Sequence, residues 1–117
     1  MILDKFRIGG KVAIVTGSQR GLGKGIALCL AEAGADIVSF DINDPVELRA
    51  SVLALGRRHA WKPVDLLTAT PEDFVRMVDE VVAEFGKLDI LVNNAGICMR
   101  ETILDYSVQY WQDTIQV

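Results

Sequence analysis

A β-branched run, Lys11-Val-Ala-Ile-Val-Thr16, leads into Gly17, Gly21 and Gly23, and then into a stretch where Leu22, Ile26, Ala27, Leu30 and Ala31 recur at helical spacing. A strand that is apolar on both faces belongs inside a parallel sheet covered by helices on each side. The glycines join that strand to a helix start. There, unpaired N–H groups and the positive end of the helix dipole face outward, and the lack of a Cβ lets an anion approach the main chain. This placement, more than the glycine count, predicts a diphosphate-binding loop over Gly17, Ser18, Gln19, Arg20, Gly21, Leu22 and Gly23. A tight turn whose glycines serve only helix–strand packing is the competing account.

The strand–helix alternation continues along the chain. Gly34 is placed to stop the first helix, and Asp36 to Phe40 reads as a second strand. Asp41-Ile-Asn-Asp-Pro45 is a turn that opens a helix running to about Leu55 and Gly56. A weaker third strand covers Ala60 to Val64, and Pro63 assigns it to a sheet edge, because proline cannot donate to a neighbour. Thr70-Pro71-Glu72-Asp73 supplies a hydroxyl cap, a first-turn proline and two acids. Phe74, Met77, Val78, Val81, Val82 and Phe85 then form one apolar stripe ended by Gly86. Leu88 to Val92 is a fourth strand, and the chain turns helical again near Ser107, with Val108, Trp111 and Ile115 on one face. This alternation, without linker or repeat, predicts a single α/β unit. It implies a parallel sheet with right-handed crossovers.

With 117 residues, 50% hydrophobic and 24% charged, the chain is too apolar for disorder. Twelve basic against sixteen acidic residues give a net charge of −4 with no block of like charge, which argues against a nucleic-acid partner. Apolar runs such as Ile90 to Val92 fall far short of the roughly 20 residues that cross a bilayer, so no membrane partner is expected. Met1 to Gly10 shows no export signal, and Cys29 and Cys98 suit reduced thiols of a cytoplasmic protein, buried or incidental. His59, the only histidine, reads as a surface residue near the end of the second helix, and with both cysteines remote in sequence it offers no metal cluster. Ser18 is followed by Gln19 and Arg20, which is not a hydrolase elbow.

Asp41 falls at the end of the second strand, where a carboxylate accepts both hydroxyls of an adenosine ribose. A 2′-phosphate in the same place would set two negative groups against each other, so NAD is expected over NADP. Arg20 is the nearby cation able to relieve that repulsion. The plain alternative is that Asp41 only begins the turn before the second helix.

Thr16-Gly17-x-x-x-Gly21-x-Gly23, Asp41, Asp65-Leu66 and Asn93-Asn94-Ala95-Gly96, in this order, resemble the short-chain dehydrogenase/reductase family over essentially the whole chain. The resemblance implies a nicotinamide-dependent oxidoreductase and the first half of a Rossmann-like doubly wound parallel sheet, with strand order 3-2-1-4. Asp65 and Leu66 would face the adenine, the Asn93-Asn94 pair would tie the fourth strand into the sheet, and Ala95 and Gly96 would pass beside the nicotinamide ribose. On the residues alone, Asp65 equally ends a strand, and a buried asparagine pair equally satisfies backbone groups. Met1-Ile-Leu-Asp4, Gly10-Lys-Val-Ala13, Ala54-Leu-Gly-Arg-Arg58 and Ala83-Glu-Phe-Gly86 are similar to the family's bacterial sugar-acid dehydrogenases. These act on 2-deoxy-D-gluconate or 2-dehydro-3-deoxy-D-gluconate, with gluconate 5-dehydrogenases as the alternative.

In that family a Ser…Tyr-x-x-x-Lys set exchanges the proton. Nothing here supplies it, because Tyr106 is followed at the lysine position by Tyr110, and Tyr110 by Thr114. The resemblance thus implies that residues 1–117 are the dinucleotide-binding part of a longer domain, inactive alone, from a cytoplasmic enzyme that is a homotetramer at full length. A non-catalytic nucleotide-binding module is the alternative, while Asn93-Asn-Ala-Gly96 argues against a methyltransferase. A fourth strand left at the edge is expected to expose apolar side chains and unpaired main-chain groups. Arg100, in the loop after Gly96, either meets a substrate carboxylate or is an ordinary solvated arginine.

Overall fold

A computed structural model describes residues 1–117. Its four strands are β1 (Val12–Thr16), β2 (Asp36–Asp41), β3 (His59–Pro63) and β4 (Ile90–Val92); its α-helices are α1 (Gly21–Glu32), α2 (Val46–Ala54), α3 (Pro71–Phe85) and α4 (Val108–Gln116). All pairings are parallel and the sheet order is β3-β2-β1-β4, the expected first half of a Rossmann-like sheet. Proline 63 lies in the edge strand, opposite Asp41. A short 3₁₀ turn at Ile2–Phe6, not anticipated from the sequence, precedes β1 and buries nothing.

Every residue of β1 is buried, because helices cover both faces of the sheet. Ala13, Val15 and Ile37 point to one side and pack with Ala27 and Ala31 of α1 and with Leu48 and Val52 of α2. Val12, Ile14, Val38 and Phe40 point to the other side and meet Met77, Val81 and Phe85 of α3. Met77, Val81 and Phe85 of the expected α3 stripe thus face the core while Val82 at its margin is exposed, and the helix start is secured by the reciprocal pair in which Thr70 Oγ1 accepts from the Asp73 amide while the Asp73 carboxylate accepts from the Thr70 amide. The small alanines of α1 bring that helix close to the sheet, and this sets where its N-terminus stands relative to the end of β1.

The fourth strand is shorter than the span Leu88–Val92. Asp89 drops out because its carboxylate, in place of a main-chain carbonyl, accepts from the Val12 amide at 2.9 Å, while its own amide donates to the Val12 carbonyl. The third strand begins at His59, one residue before the expected start, since the Arg58 carbonyl already accepts from the Ile37 amide. β4 stands at the sheet edge with Leu91 57% exposed, and Val108, Trp111 and Ile115 of α4 are likewise exposed. The amphipathic pattern of α4 is real, but within these residues its apolar face packs against no core.

Candidate functional site

Parallel strands deliver their C-terminal ends to one edge of the sheet, and here the ends of β1, β2, β3 and β4 surround a cleft of about 370 Å³. Its walls include Gly17, Gln19, Arg20, Gly21, Leu22 and Gly23 from the β1–α1 loop. Asp41 at the end of β2, Asp65 and Leu66 after β3, and Ala95 and Gly96 after β4 also line it. Of the residues singled out from sequence, two stand apart. Ser18 is fully buried with its hydroxyl turned inward and without a partner, and Asn93 lines a separate apolar hollow beside Phe74 and Leu91.

Two glycines shape the loop. Gly17 takes φ +65°, and a β-carbon on it would come within 2.9 Å of the Ala95 Cα. A β-carbon on Gly23 would fall inside contact distance of both the Gly17 carbonyl oxygen and the Asn94 side chain. The first turn of α1 is thereby drawn against the end of β1, which leaves the Leu22 and Gly23 amides at a helix start, where no preceding turn supplies acceptors. These glycines permit close packing, and that packing leaves the first turn of α1 on the cleft wall.

The junction between β1 and β4 depends on Asn94 and on Thr16, a residue that the glycine pattern alone did not single out as functional. Thr16 Oγ1 accepts from the amides of Asn94 and Ala95, each at 3.0 Å, and donates to the Val92 carbonyl at 3.4 Å. The Asn94 side-chain amide donates to the carbonyls of Thr16 and Gly17, each at 3.1 Å. Asn94 is thus the member of the pair that ties β4 to its neighbour, whereas Asn93 is exposed. A hydroxyl directly before the first glycine was the available signal.

Asp41 serves two neighbours. One carboxylate oxygen accepts from the Gln19 amide at 3.0 Å and the other from the Asn43 amide at 3.2 Å. The second contact is the turn-starting role of the plain alternative; the first joins Asp41 to the glycine loop. Asp65 accepts from the Leu67 amide at 2.9 Å, a turn contact that leaves it on the cleft wall. Arg20, exposed at the helix cap, makes no ion pair.

Several other residues lie elsewhere. His59 is not a surface residue at the end of α2: it starts β3, and its Nε2 lies 2.9 Å from the fully buried Ser39 hydroxyl. Burial, reinforced by the positive charge of Arg49 and opposed by Asp44, lowers its pKa to about 4. Cys29 and Cys98 are both free and exposed, so neither is a core cysteine. Arg100 is exposed and outside the cleft wall. No helix is long and apolar enough to cross a membrane.

The sequence profile of the family described as short chain dehydrogenase matches residues 11–117. The chain belongs to that family. It is 47% identical, over all 117 residues, to 2-dehydro-3-deoxy-D-gluconate 5-dehydrogenase of Escherichia coli (strain K12), of which it spans 46%. The fold matches carveol dehydrogenase of Mycobacterium avium in complex with NAD (TM-score 0.84, 33% identity, 94% of this chain and 44% of that one). It also matches a short chain dehydrogenase of Burkholderia cenocepacia J2315 in complex with NADP (TM-score 0.86, 38% identity, 95% and 46%). The chain therefore spans less than half the length of these dehydrogenases, and the sugar-acid likeness read from the sequence agrees with the E. coli relative.

Proposed function

We propose that residues 1–117 are the dinucleotide-binding part of an NAD-dependent oxidoreductase that interconverts a hydroxyl and a keto group on a sugar acid of the 2-deoxy-D-gluconate or 2-dehydro-3-deoxy-D-gluconate type. The observation that carries this reading is the Asp41–Gln19 contact, which makes the ribose acceptor and the glycine loop adjoining walls of one cleft. A nicotinamide dinucleotide fits the residues present, since Gly17 and Gly23 leave open the space that β-carbons would fill. When bound, the nicotinamide supplies the hydride acceptor or donor.

The chain's own contribution is to bind and orient. The α1 amides at Leu22 and Gly23 hold the diphosphate, aided by the helix dipole. Asp41 accepts the ribose hydroxyls, Asp65 and Leu66 border the adenine, and Ala95 and Gly96 border the nicotinamide ribose, with Thr16 and Asn94 holding that last segment in place. Proton exchange belongs to the Ser…Tyr-x-x-x-Lys set, which we assign to the part of the family's length that these residues do not span. The parent enzyme is then cytoplasmic and homotetrameric. NADP is the second reading, favoured by the unpaired Arg20 at the cleft mouth.

Titration with NADH and NADPH, read by energy transfer from the tryptophans, tests the assignment. NADH is expected to saturate at the lower concentration, and no saturable uptake of either would overturn it. Turnover of a sugar acid with NAD by the intact protein separates the enzyme from a non-catalytic nucleotide-binding module.

A further inference from the structure

We propose that Asp41 has a second task besides receiving the ribose: its carboxylate holds the Ser18–Gln19 peptide and so sets the diphosphate cradle before any ligand arrives. This rests on the reading of the cleft as a dinucleotide site.

The loop between β1 and α1 is bracketed by two residues in the left-handed region, Gly17 at φ +65° and Gly21 at φ +61°. Glycine restricts the backbone least, so Ser18, Gln19 and Arg20 need an outside tether to keep one geometry. The helix cap does not provide it, since the Arg20 side chain makes no capping bond. Two contacts from the end of β2 do: the Phe40 carbonyl accepts from the Gly17 amide at 2.9 Å, and the Asp41 carboxylate accepts from the Gln19 amide at 3.0 Å. Asp41 is itself anchored, because its carbonyl accepts from the Trp61 indole N–H at 3.0 Å and from the Val64 amide at 3.1 Å. The acceptor is thus presented by a residue locked between β2 and β3.

This arrangement turns the Gln19 amide toward β2 and away from the anion, while the first-turn amides of α1 are left for it. A carboxylate offers about four acceptor positions, so the two amides already bound leave room for ribose hydroxyls. A charge-assisted bond of this kind also exceeds an ordinary one in strength. Asp41 therefore governs affinity for a part of the ligand that it does not touch.

The test separates this task from ribose binding. In ligand-free protein, hydrogen exchange at the Gln19 amide is expected to quicken at least about tenfold in Asp41→Ala, while the Gly17 amide keeps its protection. Unchanged exchange at Gln19 overturns the proposal. Asp41→Ser, too short to reach the amide, gives the same comparison should the alanine variant not fold.

Asp41→Asn and Asp41→Ala carry equal charge, and only the first retains an acceptor. With 2′,3′-dideoxy-ADP, which lacks the ribose hydroxyls, Asp41→Asn is expected to bind about tenfold more tightly than Asp41→Ala. Equal affinities also overturn the proposal. If Gln19 behaves as expected but the unmodified protein takes up neither ADP nor NADH, the failure lies with the dinucleotide reading instead.

Discussion

The side-chain amide of Asn94 donates to the Gly17 carbonyl at 3.1 Å, and a β-carbon on Gly23 would intrude on the same carbonyl. The turn after β4 and the first turn of α1 therefore converge on one oxygen. Removing the donor in Asn94→Ala should cost about 1–3 kcal/mol and weaken NADH uptake. Asn94→Asp should be at least as damaging, because a carboxylate would face two carbonyl oxygens. Urea unfolding of the two variants ranks them, and a milder effect for the aspartate would show that donation is not what matters.

Gly23 and Gly25 lie two residues apart in α1 but differ in surroundings. Gly23→Ala must push the helix off the loop and is expected to lose about 1–3 kcal/mol. Around Gly25 a β-carbon would meet nothing within 4 Å, so Gly25→Ala should instead gain roughly 0.5–1 kcal/mol from helix propensity. Thermal melts of the pair test both signs.

His59 should make stability fall in mild acid. Its folded pKa of about 4 lies below the ordinary 6.5, so the neutral form is the one the fold accepts. As pH drops from 6.5 toward 4, the unfolded chain takes up a proton that the folded chain refuses, and stability present above that window is lost through it. Allowing for partial exposure, the loss is on the order of 1–2 kcal/mol. His59→Gln, which keeps a donor for Ser39, should flatten the profile between those pH values; an unaltered slope would assign it to other groups.

Asp36 is the buried anchor at the opposite end of β2. Its carboxylate, 4% exposed, accepts from Arg57 Nη2 at 2.8 Å, from the Arg58 amide at 2.9 Å and from Arg58 Nε at 3.1 Å. Burial pushes its pKa up, but these bonds outweigh burial and hold the net value below the usual range. Asp36→Ala is expected to cost about 2–3 kcal/mol, less than for a fully buried pair because both arginines reach solvent. Arg58→Ala should cost less, losing one partner and its position over the Phe85 ring. Denaturant midpoints of the two variants check the order.

Much of this was legible because local rules and tertiary packing agreed. The both-sided apolar character of Val12–Thr16 could only mean a covered central strand. Pro63 could only sit where no second neighbour required its amide. The Thr70 cap fixes where α3 starts, and the spacing of Met77, Val81 and Phe85 fixes which face of it meets the sheet. His59 was misread because its neighbours in sequence are two arginines, while its partner Ser39 is brought to it across the sheet. The clasps made by Asp89 and by the Thr16 hydroxyl have no local signature for the same reason, their bonds spanning more than seventy residues.

By itself the sequence determined the element order, the parallel sheet, the glycine loop and the acid that ends the second strand. Each follows from hydrophobic period, turn chemistry and the conformational range of glycine within a short window. Only the tertiary structure decided which asparagine clasps β1, that Ser18 faces inward and that Asp41 reaches Gln19. Those are contacts between chain segments whose relative position is set by packing both faces of the sheet, and no local pattern encodes the direction in which a side chain will find its partner.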